Sequence, residues 1–161
     1  MKRLAVLILV GILLLTGCTT PTDEQILEKY GIAITVSGTI REQDDSKVGN
    51  FTLYTSAGTL HFVCFEDPEA PVNEKNVRDF LAHYSTDGSV TVEKLENGAF
   101  YFALPPRDSG SGQGFNVVES YYFVQDGDRV WRISSVNSET QYDRDTVVQV
   151  LTSVRFLHTE K

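Results

Sequence analysis

The stretch from Tyr121 to Ile133 reads YYFVQDGDRVWRI, and it decides the fold. Apolar and polar residues alternate on both sides of Asp126-Gly127, which is the pattern of two half-buried strands. Asp-Gly favours a tight hairpin turn, because both central residues of a type I′ turn need positive φ. The stretch therefore predicts an antiparallel hairpin in which Tyr122 pairs with Trp131.

The same signals predict two more hairpins and one further strand. Their turns lie around Ala57-Gly58 and at Asn97-Gly98. A two-residue turn at Asn97-Gly98 would pair Leu95 with Phe100. The segments are 51–55 with 60–64, 90–95 with 100–104, and the single strand 32–40. The pattern favours an antiparallel sheet of about six or seven strands.

Three segments have apolar residues at helical spacing. The first is a short lead-in over residues 23–30, and the third runs from about Thr140 to Ser153. The second has apolar residues at i, i+3, i+4 and i+7, namely Val77, Phe80, Leu81 and Tyr84. Short helices are marginal alone, so the two main helices are expected to pack on the sheet. Helices between antiparallel hairpins indicate an α+β sandwich.

The amino-terminal residues predict export. Lys2 and Arg3 precede an apolar run from Leu4 to Leu15. A helix of this run would be about 18 Å long, too short for a hydrocarbon core of about 30 Å. A basic start and a short apolar run are typical of a secretory signal peptide, here residues 1–17.

The end of the run, Leu15-Thr16-Gly17-Cys18, resembles the bacterial lipobox. The resemblance implies cleavage before Cys18 and a diacylglyceryl group on its sulfur. Residues 18–22 would then form a lipidated tether, and residues 23–161 a single α+β domain. The expected location is the cell membrane, lipid-anchored on its extracytoplasmic face.

Charge excludes one class of partner. The chain has 14 Lys+Arg and 22 Asp+Glu, a formal net charge of −8. A nucleic-acid-binding protein needs a basic face to neutralise phosphates, so no nucleic acid is expected. Loss of residues 1–17 would remove Lys2 and Arg3 and make the chain more acidic still. Anionic headgroups would repel such a body, so we expect it to stand off the membrane.

The chemistry-bearing residues form no recognisable catalytic or metal motif. His61, His83 and His158 are isolated in sequence, whereas metal sites need closely spaced ligands. Cys64 alternates onto the face of Leu60 and Phe62, which predicts a core thiol. The scattered acids are expected to serve solubility and turns, although a weak cation site stays open for the cluster Glu66, Asp67 and Glu69 and for the pair Asp126 and Asp128. No metal and no cofactor are expected.

Five residues are candidates for a partner or ligand surface. Arg107 and Asp108 lie in the loop 105–114, which is rich in proline, glycine and serine and must be exposed. Each of the loops 105–114 and 41–50 is either a plain connection between strands or a loop that binds a ligand or partner. Tyr121, Trp131 and Arg132 supply the aromatic and arginine chemistry of binding hot spots. Alternation puts Tyr121 and Arg132 on the opposite face from Trp131.

The carboxyl-terminal residues resemble the end of PsbP/DcrB-like domains. The resemblance is carried by residues 121–123, 129–135 and 151–156, and it extends over about 72–157. Residues 30–34 depart from the family, because they lack its proline and tryptophan. The resemblance implies an α+β sandwich and a non-enzymatic accessory, assembly or partner-binding role. It assigns no functional residue.

The sequence therefore predicts a non-catalytic lipoprotein that binds another component of the cell envelope. The alternative is a small-molecule-binding or carrier domain with a cleft between sheet and helices. An enzyme is not expected, since no positioned acid, base or nucleophile is visible.

Overall fold

A computed structural model describes residues 22–42, 49–66, 71–85, 88–112 and 114–157. Its strands are β1 (Thr22–Leu27), β2 (Ile32–Ser37), β3 (Arg41–Glu42), β4 (Asn50–Thr55), β5 (Gly58–Glu66), β6 (Glu93–Lys94), β7 (Phe100–Ala103), β8 (Arg107–Asp108), β9 (Asn116–Asp126), β10 (Arg129–Ser138) and β11 (Arg155–Phe156). Its helices are α1 (Glu74–Leu81) and α2 (Arg144–Thr152), with a 3-10 turn at Glu28–Tyr30.

The strands form two antiparallel sheets. The larger has eight strands in the order β3-β4-β5-β10-β9-β7-β6, with β8 also paired to β9. The smaller has the order β1-β2-β11. The predicted α+β class is confirmed. The observed strand number exceeds six or seven because two-residue strands extend the large sheet and because the second sheet was not predicted.

The central hairpin has a different register from the one predicted. Asp126 pairs with Arg129, so Trp131 lies opposite Val124, and Tyr122 lies opposite Ile133. The predicted pairing of Tyr122 with Trp131 is wrong by two residues, because the turn is centred on Gly127-Asp128. Side chains alternate with a period of two, so the shift leaves each one on its predicted face.

The hairpin at Asn97-Gly98 differs by one residue. Lys94, not Leu95, pairs with Phe100, and the amide of Leu95 donates to the carbonyl of Ala99 at 2.8 Å. The side chain of Asn97 accepts from the amide of Ala99 at 3.2 Å. This local bond is typical of an Asx turn, and it makes the connection three residues long.

The predicted helical lead-in over residues 23–30 is wrong. Strand β1 pairs with β2 from Leu27 opposite Ile32 to Thr22 opposite Ser37. Only Glu28–Tyr30 is helical, and Gly31 closes the turn with φ of 66°. The ladder supplies hydrogen bonds that a single turn of isolated helix cannot, so pairing overrides the helical spacing.

Both main helices are confirmed, although α1 ends at Leu81, before the predicted Tyr84, and α2 begins later than predicted. The side chain of Asn73 accepts from the amide of Asn76 at 3.0 Å and caps α1. Asp143 accepts from the amide of Thr146 at 3.2 Å and caps α2, so this helix begins at Arg144 and not near Thr140. A side-chain oxygen at this position satisfies one of the unpaired amides of the first turn.

The large sheet separates two apolar clusters. On one side its core residues Phe62 and Tyr122 pack with Ile34 of the small sheet and Leu151 of α2. The other cluster is held by α1 and consists of Val77, Leu81, Val90, Val92, Phe100, Phe102, Leu104, Tyr121 and Phe123. The predicted core position of Cys64 agrees with the structure, since this half-buried thiol packs against the first cluster.

The amino-terminal predictions lie outside the described residues. These are the signal peptide 1–17, Cys18 and all of the tether except Thr22. In the part of the chain that the structure covers, neither α1 nor α2 has the length and apolar character needed to cross a bilayer.

Candidate functional site

The ring of Phe80 organises the face of the large sheet that α1 covers. Its centroid lies 5.2 Å from those of Tyr84, Tyr121 and Phe123, and 6.4 Å from that of Phe102. Aromatic pairs at these separations stabilise each other beyond the area they bury. Phe80 thus anchors the helix to strands β7 and β9 by aromatic contacts.

Beside the helix, the same face continues over strands β4, β5 and β10. Arg132 lies opposite Val63, and Ser134 lies opposite His61, which in turn lies opposite Thr52. The side chains here are half-buried or exposed, up to 44% for Tyr54 and 42% for Phe65. We call this region the open half of the sheet; its members are Thr52, Tyr54, His61, Val63, Phe65, Arg132 and Ser134.

Arg132 lies where the open half meets helix α1. Its guanidinium carbon is 5.6 Å from the ring centroid of Phe65 and 5.2 Å from that of Phe80. An arginine over an aromatic face is stabilised by the ring quadrupole and keeps its N–H groups available. The two rings therefore hold a cation in place on a chain whose net charge is negative.

His61 is a titratable group on the same face, and the charge of Arg132 acts on it. Its Nδ1 and the Oγ1 of Thr52 are hydrogen-bonded at 3.0 Å. Burial lowers the pKa of His61 below 6.5, and the positive charge of Arg132 lowers it further. The imidazole is therefore held in its neutral form at neutral pH.

An open groove lies at the carboxyl-terminal end of α1. Its volume is about 440 Å³, and it is lined by Tyr84, Ser85, Ser89, Leu104, Pro105, Pro106 and Arg107. We call it the proline groove. It combines apolar walls with one cationic side chain, which is a common composition for small-ligand sites.

Three side chains link this groove to the sheet. Arg107 donates to Oε2 of Glu119 at 2.9 Å, and the phenol of Tyr121 donates to Oε1 of the same carboxylate at 2.5 Å. Burial, the hydrogen bond to Glu119 and the nearby phenol of Tyr84 raise the pKa of Tyr121 well above 10.0. The bond to Glu119 also raises the pKa of Arg107.

The five predicted surface residues are not brought together. Tyr121 and Trp131 are each only 4% exposed, and they lie in different clusters on opposite faces, as alternation predicts. Arg107 and Asp108 are exposed and form the short strand β8 in what was predicted to be a loop. Arg132 alone reaches the open half of the sheet. Of the predicted loop 41–50, residues 43–48 lie outside the described residues.

Sequence reasoning placed Phe80 and Tyr84 on the apolar stripe of a helix but did not assign them to the site, and it did not single out Phe65 or Glu119. Phe65 had a usable signal, because it alternates with Cys64 and must face away from the Leu60 and Phe62 side. Phe80 of α1 contacts Arg132, and Tyr84, just beyond the helix, contacts Tyr121, so both rings meet strands that are distant in sequence. No local pattern encodes such contacts.

No metal centre is formed by the described residues. No group of three or more His, Cys, Asp or Glu side chains is close enough to hold an ion. Asp67, Glu69, His158 and the side chain of Glu66 lie outside the described residues, so the predicted cluster around Pro68 is not placed. His83 is exposed just beyond α1.

Comparison with known proteins gives the fold. No family model matches the chain, and no curated protein matches it in sequence. A crystal structure from Bacteroides thetaiotaomicron VPI-5482 matches with a TM-score of 0.58 and 12% identity over 87% of this chain and 50% of that chain. The chain thus spans about half the length of that protein.

The second similar structure is the solution structure of cyanobacterial PsbP (CyanoP) from Synechocystis sp. PCC 6803. It matches with a TM-score of 0.51 and 10% identity, over 88% of this chain and 95% of that chain. The chain therefore has a PsbP-like fold, as the resemblance in sequence implied. Identities this low carry no function from one chain to the other.

Proposed function

We propose that the chain is a lipid-anchored, extracytoplasmic protein that binds another protein of the cell envelope and does not carry out catalysis. The observation that carries this proposal is the open half of the sheet. It presents Tyr54, Phe65 and Arg132 on one surface, and such aromatic and arginine side chains are enriched at binding hot spots.

The proposed anchor is the lipobox Leu15-Thr16-Gly17-Cys18. A lipidated Cys18 would be four residues from Thr22, where β1 begins, so the linking segment would span at most about 14 Å. β1 belongs to the small sheet, which packs on the side of the large sheet away from α1. The tether would therefore enter one layer, and the open half would remain available on the other.

Lipidation is tested by metabolic labelling with an alkyne fatty acid. Cells expressing the natural chain are expected to label it, and Cys18→Ser is expected to abolish the label because the acceptor sulfur is gone. Cys64→Ser is the matched control, since it removes the chain's other cysteine and should keep the label. Label that survives Cys18→Ser would refute the anchor.

Partner binding is tested by photo-crosslinking in intact envelopes. Benzoylphenylalanine in place of Phe65, on the open half, is expected to give a discrete protein adduct. The matched control is the same group in place of Ile26, which is 60% exposed on the small sheet. Equal adducts at both positions, or none at Phe65, would contradict the proposal.

The proline groove supports a second candidate, a small-molecule carrier. Its volume of about 440 Å³ falls within the range of about 300–1,000 Å³ usual for ligand pockets. It lies at the end of α1 and not between sheet and helix, where Phe80 fills the space with aromatic contacts. Ser89 is exposed and lines the groove, so Ser89→Trp would fill it without overpacking the core. This change should abolish binding of any small molecule extracted with the protein, while leaving the Phe65 adduct intact.

A further inference from the structure

We infer that the open half of the sheet recognises an acidic side chain of its protein partner, and that Arg132 is the residue that pairs with the partner's carboxylate. This inference rests on the proposed function and names the chemistry of the partner. Four observations support it: the carboxylates that pair with other arginines, the two rings that contact Arg132, the pairing of the strands beneath it, and the net charge of the chain.

The first step concerns pairing. Several other arginines already contact a carboxylate: Arg78 contacts Glu74, Arg107 contacts Glu119, Arg144 contacts Glu93 and Asp145, and Arg155 contacts Glu24. The contacts of Arg132 within the described residues are instead with two aromatic rings. Within the part of the chain that the structure describes, its charge is therefore stabilised by ring quadrupoles and is not paired with a carboxylate.

The second step concerns geometry. Rings at 5.6 and 5.2 Å from the guanidinium carbon restrain the side chain of Arg132 before any partner arrives. A guanidinium presents its donors as a planar fork that matches the two oxygens of a carboxylate. Because the side chain is already restrained, it loses less conformational entropy when a partner binds. Arg132 is thus prepared to form a bidentate pair.

The third step concerns the mode of contact. Strands β5 and β10 are paired on both edges, β5 with β4 and β10, and β10 with β5 and β9. A partner cannot add a strand beside Arg132, because both edges of β5 and β10 are already paired. It must present side chains to the face, and the exposed rings of Phe65 and Tyr54 would take apolar residues that flank its acid.

The fourth step concerns charge. The chain carries −8 overall, so most of its surface would repel an acidic partner. A single restrained cation on an exposed aromatic surface would then fix where such a partner docks. Complementary charge of this kind sets register and partner choice more than raw affinity.

The experiment selects peptides on the full-length chain in detergent micelles, using a phage-displayed library of random dodecapeptides. Enriched peptides are expected to carry Asp or Glu beside an aromatic or branched residue. When synthesised, they should bind the natural chain at least about tenfold more tightly than they bind Arg132→Gln. A tenfold difference in affinity corresponds to the loss of one charge-assisted hydrogen bond. Arg155→Gln, on the small sheet, is the matched control and should bind as the natural chain does.

A second readout leaves the protein unchanged. Exchanging the peptide's Glu for Gln should weaken binding to the natural chain by the same factor and should have no effect on Arg132→Gln. If Arg132→Gln folds poorly, undiminished binding of the Gln peptide to the natural chain would still overturn the inference. Peptides enriched without an acid, or bound within twofold by both protein forms, would overturn the inference and leave the Phe65 crosslink of the proposed function standing.

A soluble lipid tests the other source of an anion. Dihexanoyl phosphatidylglycerol is titrated into the natural chain and into Arg132→Gln. Arg132-dependent binding of this lipid without enrichment of acidic peptides would overturn the inference and assign the site to a headgroup. Absence of both kinds of binding would also overturn it.

Discussion

The phenol oxygen of Tyr121 lies 2.5 Å from Oε1 of Glu119, two residues earlier on the same strand. Residues i and i+2 of a strand share a face, so this bond joins two groups that the pleat already places together. Glu119 also accepts from Arg107, so one half-buried carboxylate ties the proline groove to the aromatic cluster.

Tyr121→Phe should lower the free energy of unfolding by about 1.5–3 kcal/mol, because it removes one hydrogen bond to a charged acceptor and keeps the ring. Arg107→Ala should cost less than about 0.5 kcal/mol, since its side chain is 58% exposed and solvent screens the pair. Urea unfolding followed by the fluorescence of Trp131, the chain's only tryptophan, measures both. A larger loss for Arg107→Ala would contradict this ranking.

Alkaline pH should destabilise the fold. Burial raises the pKa of Tyr101, Tyr121 and Tyr122 above 10.0 in the folded state. The unfolded chain therefore releases protons first, and the contribution of these groups is complete below pH about 10 and is lost as pH rises beyond it. The phenolate absorbance of these tyrosines should appear together with unfolding. Appearance of all phenolate absorbance before unfolding would refute the prediction.

Mild acid should also destabilise the fold, through His61. Its folded pKa lies below 6.5, so the unfolded state binds the proton more readily. The stability is complete above pH about 6.5 and declines as pH falls through the folded pKa. His61→Gln should make the unfolding midpoint less dependent on pH over this window. Arg132→Gln should have the same effect in part. An unchanged slope in His61→Gln would assign the acid sensitivity to other groups.

Gly58→Ala should be severely destabilising, by about 2–4 kcal/mol. Gly58 has φ of 102°, and an added Cβ would lie 2.2 Å from Oδ1 of Asn137 and 2.7 Å from the backbone oxygen of Val136. The buried amide of Asn137 already donates to Ser135 at 2.8 Å, so it cannot move freely. Gly98→Ala is the control, since its φ is also positive but its Cβ would meet open space. Equal losses of stability in Gly58→Ala and Gly98→Ala would show that backbone strain at positive φ, and not the clash with Asn137, causes the destabilisation.

Asn73→Ala should destabilise by about 1 kcal/mol, because the amide of Asn76 loses the side chain that caps α1. Asn73→Asp should restore most of this loss, since aspartate caps equally well and suits the positive end of the helix dipole. Thermal unfolding by circular dichroism measures both variants. Failure of the aspartate to restore stability would mean that the contacts of Asn73 with Pro71 matter more than the cap.

Local patterns were sufficient to locate the central hairpin and both main helices and to assign the two faces of the hairpin. Alternation from Tyr121 to Ile133 located the central hairpin, and it separated Trp131 from Tyr121 and Arg132 correctly. It did not fix register, because the turn at Asp126-Gly127-Asp128 can close on either pair of central residues. The lead-in at 23–30 failed for a related reason: Ile26, Leu27 and Tyr30 fit a helix, but the pairing of β1 with β2 lies outside any local window.

What the sequence determined by itself is the set of periodicities: strands with two faces and two helices with one apolar stripe each. Those features depend on neighbours along the chain. Which face the described residues leave open was decided only in three dimensions, because contacts of Phe80 with β7, β9 and Arg132 of β10 set where α1 packs. The position of Arg132 on that face was also decided by the tertiary structure. Phe65 and Phe80 belong to different elements, and only the packing of sheet and helix brings both rings to its guanidinium.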